Sequence, residues 1–168
     1  MKNNSICVII MMIILFSTTV SKAQINCDEV KKENAYLKKA LKVTSPTKTI
    51  TSSKIDFNLI KCEGNIKEQT VNLVLTLVNH AANTVLQFSS AEAIDLEGDE
   101  YKYDHIYIGS ATYRNNIYTD TPIKVNIKFA KVLPSIKLFK LIPIKYYDNE
   151  NLGGTIGIEY KDVPISWK

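Results

Sequence analysis

The ten residues from Thr70 to Asn79, TVNLVLTLVN, constrain this 168-residue chain more than any other stretch. Val71, Leu73, Leu75 and Leu77 recur at the two-residue period of a β-strand and form one wholly apolar face. Asn72, Val74, Thr76 and Val78 form the other, half-apolar face. Such a strand belongs in the middle of a sheet, its apolar face against a second layer and its other face nearer to water.

The remaining segments flank or cover that strand. Ile55, Phe57 and Leu59 alternate with Asp56 and Asn58 and predict a first strand, with Cys62-Glu63-Gly64-Asn65 as the turn after it. After Asn79 to Asn83, the runs Thr84 to Ser89 and Ala91 to Leu96 predict two strands, turning at Glu97-Gly98-Asp99. Tyr101, Tyr103, His105 and Tyr107 then alternate with Lys102, Asp104, Ile106 and Ile108. Gly109 to Thr121 is a long polar loop, and long loops often carry function. Ile123, Val125, Ile127 and Phe129 oppose Lys124, Asn126 and Lys128 in the clearest amphipathic strand. Ile136 to Tyr146 predicts another, in which Pro143 requires an edge, a bulge or a strand end. In the last stretch, Thr155 to Trp167, the phase of Ile156, Ile158 and Tyr160 gives way to that of Val163, Ile165 and Trp167, so a kink is expected near Lys161-Asp162.

Seven or eight strands in about 115 residues, with no helical pattern among them, predict an all-β fold: an antiparallel β-sandwich of immunoglobulin-like size. An eight-stranded barrel is the alternative.

Upstream of that domain, Lys2, the apolar run Ile6 to Phe16 and the small-x-small sequence Ser21-Lys22-Ala23 read as a signal peptide over residues 1–23. Eleven apolar residues fall short of the roughly 17 to 25 that span a bilayer. Gln24-Ile25-Asn26 lacks the small residues that lipid attachment at Cys27 would need. Residues 24–45 predict a short amphipathic or coiled-coil helix: Cys27, Asn34 and Leu41 take heptad position a, Val30, Leu37 and Thr44 position d. Val30, Asn34, Leu37 and Leu41 are thus candidates for oligomerisation. Residues 46–53, rich in Ser and Thr with Pro46, read as a linker, and 54–168 as the folded domain.

Removing residues 1–23 takes Lys2 and Lys22 away, so the net charge of +4 falls to about +2, and Arg114 is the single arginine. That balance argues against nucleic acid as a partner. No later apolar run is long enough for membrane insertion after signal cleavage. Cys27 and Cys62 would be in a compartment that permits disulfides; a bridge between them would close a loop of about 35 residues, worth about 4 kcal/mol on the chain-entropy account. Cys27 could equally pair with its copy in a second molecule or stay free.

Candidate chemistry is sparse. His80 and His105 belong to no metal-ligand spacing and read as structural or surface residues. No Gly-x-Ser-x-Gly is present, and no nucleophile has a base beside it that the sequence can show. Asp95, Glu97, Asp99 and Glu100 form the densest acidic patch, but without a calcium-loop pattern, and a glycine flanked by acids is ordinary hairpin chemistry. No metal, cofactor or enzymatic activity is expected. Tyr101, Tyr103 and Tyr107 on one strand, with Tyr113 and Tyr118 in the long loop, are the candidate ligand-binding residues, since aromatics with polar tips suit contacts with sugars or proteins. Two readings of the row stand: an exposed binding face, or core with Ile106 and Ile108 outside.

The strand V-x-L-x-L-x-L-x-N ending at Asn79, the sequence A-I-D-L-E-G-D-E-Y with Asp95, Gly98 and Tyr101, and T-P-I-K-V-N-I-K-F from Pro122 to Phe129 together resemble the telokin-like, immunoglobulin-fold domains of bacterial secreted and lipid-anchored proteins. The resemblance covers about Lys54 to Trp167 and implies the fold, not an activity.

The expectation is a secreted or periplasmic bacterial protein, displayed at the cell surface or free, that binds protein or glycan at the cell envelope without catalysis. The alternative is a structural assembly subunit, a homo-oligomer held by the N-terminal helix.

Overall fold

The computed structural model describes residues 28–32, 46–148 and 154–168. The chain divides into two compact units, Met1–Thr44 and Ser45–Lys168. In the first, residues 28–32 are helical and Val30 is exposed. The segment read as a signal peptide, together with Cys27, Asn34, Leu37 and Leu41, lies outside the described residues.

The second unit is nearly all antiparallel strand: β1 (Lys48–Ser52), β2 (Ile55–Asn65), β3 (Thr70–Asn79), β4 (Thr84–Ile94), β5 (Glu100–Ile108), β6 (Ala111–Thr112), β7 (Arg114–Ile117), β8 (Ile123–Ala130), β9 (Leu138–Asp148), β10 (Ile156–Pro164) and β11 (Ser166–Trp167). Among the described residues eleven strands replace the expected seven or eight, because four short ones carry too little alternation to be legible. One is β1, inside the stretch read as a linker. It pairs with β2 through a two-residue turn, Ser53-Lys54, whose φ values of 50° and 59° are those of a hairpin turn usually signalled by Asn-Gly. In the other direction, the two runs expected between Thr84 and Leu96 are one strand, β4, with a bulge at Ser89.

Bulges do the same for β2. The strand does not turn at Cys62; it continues to Asn65, with Ile60 extra between the pairs Leu59↔Leu75 and Lys61↔Val74. The extra residue flips the phase, so that Ile55, Phe57 and Leu59 point inward before it and Cys62 and Gly64 after it. The kink expected near Lys161-Asp162 is present: Asp162 has φ 51° and is left out of the β9–β10 pairing, while the register continues unchanged from Lys161↔Leu141 to Val163↔Phe139.

The first sheet runs β1-β2-β3-β8-β5, with β11 parallel to β2 beside β1 and β6 on the far side of β5. The second runs β4-β9-β10, and the free side of β4 is shared by β7 and the start of β5. β5 therefore belongs to both sheets: Glu100 to Lys102 pair with β4, and Tyr103 to Ile108 with β8. On the opposite side β1 and β10 are not laddered, and the fold is a sandwich, not a closed barrel.

Pro143 lies neither at an edge nor at a strand end. β9 runs between β4 and β10, and Pro143 falls where its ladder to β4 lapses, between Ile144↔Ala91 and Leu141↔Ile94. A residue without an N–H is tolerated where no bond is due.

Between the sheets, Val71, Leu73, Leu75 and Leu77 of β3 meet Phe139, Ile142, Ile144 and Tyr146 of β9 in one core, all fully buried. Phe57 packs on Tyr146 with ring centroids 5.0 Å apart and Phe129 meets Phe139 edge-on at 5.7 Å. Two hydroxyls tie the layers: Tyr160 donates to the Phe57 carbonyl at 2.7 Å, and Tyr146 to Ser52 Oγ at 2.9 Å.

Candidate functional site

The tyrosines of β5 do not form one row. In passing from β4 to β8, β5 bulges at Asp104, between the pairs Tyr103↔Phe129 and His105↔Lys128. Before the bulge the odd positions turn toward the inter-sheet space; after it Ile106 and Ile108 are buried and His105 and Tyr107 face out. The alternative with Ile106 and Ile108 outside is thus reversed. The strand has to change sheets here, and a bulge supplies the bend and the extra twist.

Tyr101 goes to the interior side. Its ring packs 5.8 Å from Phe139, and its hydroxyl donates to Asp95 Oδ2 at 3.0 Å. Burial first, then the Asp95 carboxylate, pushes the phenol up to about 12. Asp95 also accepts from the Glu97 and Asp99 amides at 2.9 and 3.0 Å. Burial pushes the Asp95 carboxyl upward, but the amides and the Tyr101 hydroxyl together outweigh it, and the carboxylate sits below its ordinary range. The acidic turn is therefore closed upon itself by Asp95. Among the described residues no group of three or more His, Cys, Asp and Glu side chains is arranged to hold a metal ion.

The outward half of β5 builds the most developed surface. The rings of His105 and Tyr107 stack in parallel, centroids 5.9 Å apart and planes 2° apart, and Asp104 Oδ2 lies 2.8 Å from His105 Nδ1. Strand register extends this pair across the sheet. His105 stands beside Lys128, Lys128 beside Asn72 and Asn72 beside Glu63. Tyr107 stands beside Asn126, then Val74 and Lys61. Glu63 accepts from Lys168 at 2.5 Å and from Lys61 at 2.6 Å, which hold its carboxyl below the usual range. An open hollow of about 390 Å³ lies at that end, lined by Glu63, Gly64, Asn65, Lys67, Asn72 and Lys168.

Tyr113, with φ 40°, sits between β6 and β7 and is held to β5 by its amide, which donates to the Ile106 carbonyl at 2.9 Å. Its side chain is exposed, as is that of Tyr103 beside the bulge. The structure thus gathers Tyr107 and Tyr113 along the β5–β6 margin, while Tyr103, paired with the fully buried Phe129, lies on the opposite face of β5. Tyr118 is exposed elsewhere, after β7, where the Thr121 amide donates to its carbonyl. The alternation placed His105 on the face of Tyr107, but the sequence did not mark Asn126 and Lys128 as their neighbours, because cross-strand register is not written in local spacing.

Cys62 is a free thiol, 5% exposed, and burial followed by the Glu63 charge pushes it up to about 12. The bulge at Ile60 turns this residue into the core, where the sequence predicts a turn.

His80 is clamped between carboxylates at the end of β3. Its Nδ1 lies 2.7 Å from Asp120 and its Nε2 3.1 Å from Asp56, which also accepts from Thr51 at 2.6 Å. Asp120 first, then Asp56, raise the imidazole above its ordinary value. The Thr51 hydroxyl, then His80, lower Asp56. With the His80 amide on the Lys54 carbonyl and the Asp120 amide on the Asn79 carbonyl, the cluster fastens three loops, a structural task.

No protein-family profile matches the sequence, and neither does any curated protein. Among solved structures, the ASH/PapD-like domain of human CEP192 matches at TM-score 0.37 and 14% identity over 75% of this chain and 95% of that domain. The periplasmic chaperone SfaE matches at TM-score 0.37 and 10% identity, covering 68% of this chain and 57% of SfaE. The collagen-binding subdomain of the Enterococcus faecalis surface protein ACE matches at TM-score 0.28 and 8% identity, over 66% and 95%. The fold assignment made above rests on strand pairing and not on these likenesses.

Proposed function

We propose that the chain is a secreted, non-enzymatic binding module of immunoglobulin-like type, telokin-like in kind, that recognises a protein or glycan of the bacterial envelope through the β5–β6 margin. The observation that carries this reading is the stacked His105–Tyr107 pair, outward-facing, with the exposed ring of Tyr113 on the turn held to β5 beside it. Rings with polar tips and few rotatable bonds give contact area at low entropic cost. The amides and lysines beside them in register, Asn126, Lys128 and Asn72, supply donors that fix orientation.

Residues 1–23, read as a signal peptide, are the basis for placing the module outside the cytoplasm, and mass spectrometry of the exported protein should find Gln24 as the first residue. For recognition, a photoreactive side chain placed at Thr112, exposed and opposite Tyr107 in register, is cross-linked in intact cells, and a panel of purified envelope polysaccharides is screened in parallel. The double change Tyr107→Ala and Tyr113→Ala should abolish whichever signal the unaltered protein gives, while Tyr147→Ala, on the second sheet, should not. Equal loss from both, or loss from neither, defeats the assignment.

A further inference from the structure

β10 is a margin of the second sheet. It pairs with β9 from Ile156 to Pro164, and among the described residues no strand is laddered to its other side. Proteins usually blunt such an edge with a charge, a bulge or a covering segment. Here those devices are concentrated in one half of the strand. The Lys48 ammonium donates to the Lys161 and Asp162 carbonyls, Asp162 has φ 51° and is left out of the pairing with β9, and Lys140 holds the Asp162 carboxylate at 2.6 Å. From Ile156 to Tyr160 the one such device among the described residues is the charge of Glu159, and no bulge or covering segment is present there. Ile158 and Tyr160 point inward with the half-buried Ile156, while Gly157 and Glu159 face out.

We propose that two copies of this chain join edge to edge, β10 against β10, antiparallel about a twofold axis at Ile158. That register sets Ile156 opposite Tyr160 of the second copy and each Glu159 opposite Gly157 of the other. A parallel pairing, or one centred on Glu159, would lay Glu159 against itself, which like charges directly opposite disfavour. Behind Gly157, in register on β9, stands Lys145, exposed and without an ion-pair partner among the described residues. A β-carbon at Gly157 would meet nothing within 4 Å, so the glycine leaves an open notch beside the edge. Glu159 of the second copy reaches across that notch to Lys145, over two strand spacings, roughly 9 to 10 Å of backbone separation. The symmetry makes two such pairs. This charge complementarity selects a second copy over an unrelated strand, and it uses no residue of the tyrosine margin.

Sedimentation of the full chain tests it, with circular dichroism confirming that each variant is folded. The unaltered protein should dimerise. Gly157→Glu, which opposes Glu159, and Lys145→Glu should each weaken the dimer about tenfold, and Lys145→Glu combined with Glu159→Lys should restore it. In a Cys27→Ser background, mixing the single variants Gly157→Cys and Glu159→Cys should give a mixed disulfide faster than Glu159→Cys gives one with itself. A monomer at every concentration, a dimer indifferent to both charge reversals, as one held by residues 24–45 would be, or preferential self-linking at position 159 overturns the proposal.

Discussion

The indole of Trp167 lies directly on Gly64: a β-carbon at position 64 would stand 2.2 Å from Trp167 Cε3. The ring is pinned there by its Nε1, which donates to the Ile136 carbonyl at 2.6 Å, and by the Lys168 amide on the Gly64 carbonyl at 2.9 Å. Gly64→Ala should therefore expel the ring, strip β11 from β2 and destabilise the domain by about 2 kcal/mol, an overpacking cost. Urea unfolding followed by the fluorescence of this single tryptophan measures it. A native emission maximum identical to that of the unaltered protein would contradict the packing.

The Tyr160 hydroxyl donates across the core to the Phe57 carbonyl, and burial pushes its phenol well above the ordinary value. Tyr160→Phe leaves that carbonyl without this donor and should cost about 1 to 2 kcal/mol. Denaturant titration should show a lower midpoint with an unchanged slope, since the surface exposed on unfolding stays the same.

The His80 clamp has a defined pH window. The folded imidazole titrates above its unfolded value near 6.5, so its contribution is complete below that value and is lost as pH rises through the folded one. Asp56 titrates below its unfolded value near 3.8, so its contribution is present above that and is lost as pH falls through the folded one. Thermal stability should be favoured between about pH 4 and 6.5, and His80→Gln should flatten the decline on the alkaline side. A melting-temperature profile with the same slope in both proteins would count against the clamp.

Cys62, with its thiol pushed up to about 12, should resist alkylation at pH 8 in the folded protein. In a Cys27→Ser background the reaction with iodoacetamide should appear only with unfolding. Rapid labelling under native conditions would show that the thiol is open to solvent.

Asp95→Asn removes the charge that faces Tyr101. The Tyr101 phenol should then fall part of the way from about 12 toward its ordinary value, the remainder being held up by burial. Ultraviolet titration of the phenolate in the two proteins resolves the difference.

Much of the core was legible before the structure. The two-residue alternation in β3 and β8 named Val71, Leu73, Leu75, Leu77, Val125, Ile127 and Phe129, all of which are buried, because an unbroken strand has no other way to face its second layer. Legibility failed at bulges. One extra residue at Ile60 and one at Asp104 reverse every face that follows, moving Cys62 inward and dividing Tyr101 from Tyr107, and neither site carries a glycine or proline to announce it. It failed also for short strands whose stability comes from a neighbour, as with β1 on β2 and β11 on β2. The margin that brings His105, Tyr107 and Tyr113 together depends on β8 lying beside β5 and on Tyr113 reaching Ile106, pairings between segments that no local window contains.

Because a single strand, β5, is hydrogen-bonded into both sheets, the sandwich is bound along one side like the spine of a book, whereas its fore-edge, between β1 and β10, is clasped by a lysine side chain. Sheets joined in that way cannot slide past one another. Amide protons from Ile106 to Ile108, where β5 is buried at both isoleucines and laddered to β8, should be among the last to exchange with solvent.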